Sequence, residues 1–174
     1  MKNKFGKWNG LAALITVGLV LSGASAFAAD NGNVVLSGTV AAVNWITVVG
    51  SGTYNTLNLA ASAAAVKVAD VTETSNDLIG YTVTLRSANA AVTPQAVLKG
   101  AIVGNTQGMN YSITYGPGAG TAVTLIAGIA TVTSSAVATS EAGTANNLRI
   151  TYTGNTFLNA DTYSDTITLT IAAK

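Results

Sequence analysis

The sequence predicts an all-β domain, an antiparallel β-sandwich or barrel, preceded by a removable leader. Three observations carry this. Beyond Ala28 the chain holds 24 Thr, and Thr, Val, Ile and Tyr suit a pleated, half-buried surface better than a helix. Apolar and polar residues alternate with period two in at least four separate runs, as in antiparallel sheets with one face on the core and one in water. Short Gly, Asn and Pro clusters separate these runs at sandwich-like spacing.

At the amino end, Lys2, Lys4 and Lys7 precede an apolar stretch from Leu11 to Leu21, and small residues lead to Ala26-Phe27-Ala28. This is a signal-peptide pattern over 1–28, with cleavage expected after Ala28 and Ala26 as the second candidate. Eleven apolar residues fall short of the roughly 20 that span a bilayer as a helix. With no Cys, a lipoprotein anchor has no residue to carry it. Cleavage leaves 146 residues, five basic and seven acidic, net −2. That balance offers no basic footprint for nucleic acid and no polybasic patch for anionic lipid, and the mature chain is not expected to span a membrane. One domain is expected, burying about 68–70% of its unfolded surface, enough to fold without disulfides.

Residues 29–42 form an amino-terminal extension to a domain over 43–174. Within it, Asn33 to Ala42 reads NVVLSGTVAA, so Val34, Leu36, Gly38, Val40 and Ala42 share one face of an extended strand. The next residues, Val43 to Val49, contain Trp45, the sole Trp beyond the leader. A lone Trp in a sandwich is expected as a core or edge anchor, and exposed it becomes a candidate surface contact. Leu59 to Ala65, with five alanines, reads as a loop or a short helical turn. Then Tyr81, Val83 and Leu85 alternate with Thr82, Thr84 and Arg86; Tyr111, Ile113 and Tyr115 with Ser112 and Thr114. Leu148, Ile150 and Tyr152 alternate with Arg149 and Thr151, and Ile167, Leu169 and Ile171 with Thr166, Thr168 and Thr170. About nine or ten strands are expected in all, with turns at Gly50-Ser51-Gly52, Ser75-Asn76-Asp77, Gly104-Asn105, Gly116-Pro117-Gly118, Gly143-Thr144 and Gly154-Asn155.

The absence of His and Cys removes the Ser-His-Asp triad, the Cys nucleophile and the usual zinc sites. Asp161 and Asp165 would share a strand face more than about 12 Å apart along the chain, and read as solvating a strand start rather than as an acid/base pair. Asp70, Glu73 and Asp77 read as one solvated loop, since their spacing matches no calcium loop. Gly116 to Gly120 lacks the Lys-Ser/Thr of a phosphate cradle and reads as a turn. No enzyme activity, cofactor or metal is expected.

Several of these segments resemble a known family. The stretch from Ala160 to Ile171 resembles the closing strand of chaperone-usher pilins and of their spore-coat-U-like branch, commonly Gly-x-Tyr-x-Asp followed by apolar alternation. Here Asp161 stands at the Gly position, and Tyr163 and Asp165 match. GYTVTLRSAN, Gly80 to Asn89, is similar to the family's central strand, and TYNTLNL, Thr53 to Leu59, to its short second strand. The chain lacks the family's usual disulfide and ends Ile171-Ala172-Ala173-Lys174, without the aromatic common near that end.

The resemblance implies an incomplete immunoglobulin-like antiparallel sandwich, completed by donor-strand addition. It implies a non-enzymatic subunit of a bacterial cell-surface fibre or coat, exported through the periplasm, whose partners are copies of itself or related subunits, a periplasmic chaperone and an outer-membrane usher. On that reading Val34, Leu36, Gly38, Val40 and Ala42 are the donor positions. The same alternation also describes the domain's own first strand continuing into Val43 to Val49. The alternative function is a free-standing secreted sandwich that binds a glycan or a protein through Trp45 and exposed tyrosines.

Overall fold

A computed structural model describes residues 32–52, 54–90 and 95–174. The expected signal peptide, 1–28, and the first residues of the extension lie outside them. The chain divides into two compact units, 1–38 and 39–174. Of the first, residues 32–38 are described and belong to no strand.

The second unit is all-β among its described residues, with ten strands: β1 (Asn44–Gly50), β2 (Ala63–Ser75), β3 (Tyr81–Ser87), β4 (Ala96–Gly100), β5 (Gly108–Gly116), β6 (Thr121–Val123), β7 (Ile129–Ser134), β8 (Thr144–Tyr152), β9 (Tyr163–Ser164) and β10 (Ile167–Ala173). They form two antiparallel sheets. One runs β1-β2-β8-β5-β4-β9, with β6 also paired to β5; the other runs β10-β3-β7. Of the sandwich or barrel expected from the alternation, a two-sheet antiparallel sandwich forms.

The inward rows are those that the alternation assigns. Tyr81, Val83 and Leu85 of β3, Tyr111, Ile113 and Tyr115 of β5, and Leu148, Ile150 and Tyr152 of β8 are all buried. Each such side chain contributes on the order of 1.5–3 kcal/mol by leaving water. In register, Ile113 faces Ile150 and Leu169 faces Leu85.

Two expectations are corrected. The alanine-rich stretch is a loop only in part: residues 59–61 form a turn and bend, while Ala63–Ala65 open β2. The pairing of β2 with β8 shifts between Ala63 and Val66 and again between Lys67 and Ala69, and Ala65 has φ 49°. Such bulges bend a strand and re-aim its side chains, and the consecutive residues Val68 and Ala69 are both buried here. Secondly, Asp70 and Glu73 are not in a loop. Both lie in β2, on opposite faces. Asp70 is exposed and pairs with Lys67 Nζ at 2.9 Å, whereas Glu73 is fully buried. The strand holds them apart because a three-residue step in a β-strand reverses the face.

Candidate functional site

The candidate site is the opening between β1 and β10. Among the described residues β1 pairs with β2 alone, and β10 with β3 alone. The two strands come close, yet no ladder joins them.

An apolar cleft of about 330 Å³ starts there and runs across the inner face of the larger sheet, from Val48 and Gly50 of β1 past Val68, Leu148 and Ile150 to Tyr111 and Leu98, with Ile167 lining it from β10. Val48 shares the inward row of β1 with Ile46 but is 50% exposed. Ile167, Leu169 and Ile171 stay half-buried, while Leu85, the register partner of Leu169, is 0% exposed. The inward aliphatic row of β10 thus lacks the covering that its neighbour β3 has. Tyr54 and Leu57 close one end of the cleft.

Two carboxyl groups tie the sheets around this interior. Glu73 receives hydrogen bonds from the hydroxyls of Tyr115 (2.5 Å) and Thr133 (2.8 Å) on Oε1 and of Tyr81 (3.0 Å) on Oε2. Asp165, two residues before β10, receives the hydroxyls of Ser87 (2.5 Å) and Tyr111 (2.6 Å) on Oδ2. Its Oδ1 takes the amides of Asn89 (3.1 Å) and Thr166 (2.7 Å). Burial pushes the Tyr111 and Tyr115 phenols well up, and the adjoining carboxyl groups push them further. These partners were not visible in the sequence; the one available hint was the pair of tyrosines four apart on the inward row of β5.

Asp161 stands apart from Asp165. It accepts from Ile102 N, Asn105 Nδ2 (2.7 Å) and Thr162 N (2.7 Å). Desolvation pushes its carboxyl up, but the bonds from Asn105, Ile102 and Thr162 outweigh this and hold it below the usual carboxylate range. Both aspartates are anchors of local backbone here, which is a larger role than solvating a strand start.

The proposed donor residues belong to no strand. Val34, Leu36 and Val40 are each at least 85% exposed, and Gly38 and Ala42 are exposed in unpaired backbone. The chain enters β1 through Asn76, whose side chain binds Ala41 O (2.8 Å) and Val43 N (2.7 Å). Trp45, expected as a core or edge anchor or, if exposed, as a candidate surface contact, lies on the edge strand β1 and is 64% exposed. Alternation puts Ile46 inward and Trp45 outward, where its Nε1 donates to Thr47 Oγ1 at 2.8 Å.

No family model matches the chain, and no curated protein matches it. Among solved structures the chain is similar to HdaB, the minor tip subunit of the E. coli Hda pilus. The identity is 15%, covering 73% of this chain and 79% of that one, with a TM-score of 0.37.

Proposed function

We propose that this chain is a non-enzymatic structural subunit of a bacterial cell-surface fibre or coat, polymerising by β-strand donation. The observation that carries the reading is the apolar cleft that opens beside the unpaired strand β1 and reaches Ile167 of β10, whose inward row is only partly buried. A strand seated there gains backbone hydrogen bonds on an unpaired edge and buries alternate side chains in the cleft. The donor is the segment 33–42 of another copy. Ten residues reach about 33 Å at ~3.3 Å each, longer than the seven residues of β10. Val34, Leu36 and Val40 would each gain on the order of 1.5–3 kcal/mol on burial, and Gly38 suits a close backbone approach. Export, followed by handling by a periplasmic chaperone and an outer-membrane usher, belongs to the same reading through the sequence resemblance.

The test is the double variant Leu36→Asp, Val40→Asp, followed by size-exclusion chromatography and electron microscopy of the exported protein. The wild type is expected to form a ladder of assemblies, and the variant to stay a folded monomer that accepts a synthetic 33–42 strand in trans. A variant that polymerises normally overturns the donor assignment, and a wild type that runs as a sharp monomer overturns the polymerisation reading.

A further inference from the structure

A second cleft, of about 710 Å³, lies between the β1–β2 loop and the β8–β9 loop. It falls within the range of roughly 300–1,000 Å³ common for small-molecule sites. We infer that this cleft binds a neutral carbohydrate, with Tyr54 as the stacking face and the side-chain amides of Asn55, Asn58, Asn155 and Asn159 as the hydroxyl-reading groups.

The walls are pre-formed. Asn155 N donates to Leu59 O and Gly154 N to Ser62 Oγ, both at 2.9 Å, and Tyr152 OH donates to Asn58 O at 3.2 Å. The loops touch so closely that a Cβ on Gly154 would lie 2.4 Å from the Ala61 carbonyl carbon. The opposite wall is braced by Asn159 N on Gln107 Oε1 (2.5 Å) and by Asn105 on Asp161.

The lining selects for an uncharged ligand. It contains no Lys or Arg, so nothing there neutralises a phosphate, sulfate or sialic acid carboxylate. Its two carboxyl groups, Asp161 and Asp165, are occupied by the internal hydrogen bonds described above. What remains open is amide. Asn58 and Asn155 spend Oδ1 on Ala60 N (3.2 Å) and Phe157 N (2.9 Å), which fixes their Nδ2 groups as the available donors. Asn159 spends Nδ2 on Asn105 Oδ1 (3.3 Å) and keeps Oδ1 as an acceptor. Asn55 has no partner among the described residues and offers both. Sugar hydroxyls donate and accept, so a fixed mixture of amide donors and acceptors matches them. A pyranose also has an apolar C–H face. Tyr54, 55% exposed at the rim, presents a ring of the right character, and Leu57 and Leu98 add apolar lining beneath. Trp45 takes no part in this cleft.

The test applies the mature full-length protein to an array of neutral and acidic oligosaccharides, followed by titration calorimetry with the neutral oligosaccharide best retained. Asn55→Ala breaks no internal hydrogen bond, and Asn55→Ala and Tyr54→Ala are each expected to weaken binding about tenfold, the scale of one lost hydrogen bond or stacking contact. Trp45→Ala is expected to bind as the wild type does. Retention of no neutral oligosaccharide, retention only of acidic ones or of peptides, or unchanged affinity in both cleft variants overturns the inference. Tyr54, Leu57, Leu98 and Asp165 line this cleft and the donor cleft alike, so the titrations are run in the unpolymerised Leu36→Asp, Val40→Asp background, where Asn55→Ala, which touches this cleft alone, is expected to weaken binding about tenfold, and failure of one reading stays separable from failure of the other.

Discussion

Tyr111 and Tyr115 sit four residues apart on the inward row of β5, and their hydroxyls end on carboxyl groups at opposite ends of the sandwich, Tyr111 on Asp165 at 2.6 Å and Tyr115 on Glu73 at 2.5 Å. Glu73 reaches from one sheet to Tyr81 and Thr133 in the other, and Asp165 holds the start of β10 against β5 and the end of β3. In a sandwich whose β10 has one bonded neighbour, these links fix the separation of the sheets, and with it the width of the cleft.

Glu73→Ala is expected to destabilise the domain by about 3 kcal/mol or more, because the buried hydroxyls of Tyr81 and Tyr115 and the partly buried one of Thr133 lose their acceptor together and each stranded buried polar group costs about 1–3 kcal/mol. Tyr115→Phe removes one donor and should cost about 1–2 kcal/mol. Urea melts give both numbers, and an equal loss in the two variants would show that Glu73 does not act as a shared acceptor.

Asp165→Asn keeps the volume but weakens acceptance from two hydroxyls and two amides, and should cost about 1–3 kcal/mol. Because the loss falls at the entry to β10, hydrogen exchange in β10 should rise more than in β8. Uniform acceleration across both strands would place the effect on global stability alone.

Stability should fall steeply in alkali. The Tyr111 and Tyr115 phenols are raised above the ordinary value of 10.0 in the native state, so the fold keeps protons that the unfolded chain releases. The contribution is complete below about pH 10 and declines as pH rises above it, by about 1.4 kcal/mol per pH unit for each tyrosine. Phenolate absorbance should show these two groups ionising together with unfolding. Their titration in a still-folded protein would refute this.

The strands that the sequence made legible are those buried on one face. Tyr81-Val83-Leu85 and Leu148-Ile150-Tyr152 announce themselves because period-two burial needs no knowledge of the partner strand. Glu73 could not be recognised as interior, since its burial depends on three hydroxyls from strands 8, 42 and 60 residues away. For Trp45 residue type alone left anchor and surface contact both open, and the parity that puts Ile46 inward is what turns it outward. The cleft was invisible for a related reason: the partial burial of Ile167, Leu169 and Ile171 depends on how β10 is paired, here with β3 alone among the described residues, and strand pairing is not written in a strand's own alternation.

Gly80→Ala should be among the costliest single substitutions at a turn. Gly80 has φ +93°, and a Cβ there would lie 2.1 Å from Ser135 O, well inside any real contact. The position cannot simply move. Its N donates to Asp77 O at 3.0 Å, its O accepts from Lys174 N at 3.2 Å, and the next residue exchanges hydrogen bonds with Ser135 in both directions. The backbones leading into β3, out of β7 and out of β10 therefore meet at one residue. Gly118→Ala is the control: its φ is +61° with nothing within 4 Å of a Cβ, so it bears only the left-handed backbone cost of roughly 1–2 kcal/mol. Gly80→Ala adds a clash with backbone and should lose about 3 kcal/mol or more. Thermal melts of the two variants isolate the steric part. Equal losses would mean that Ser135 yields freely and that the convergence at Gly80 is loose.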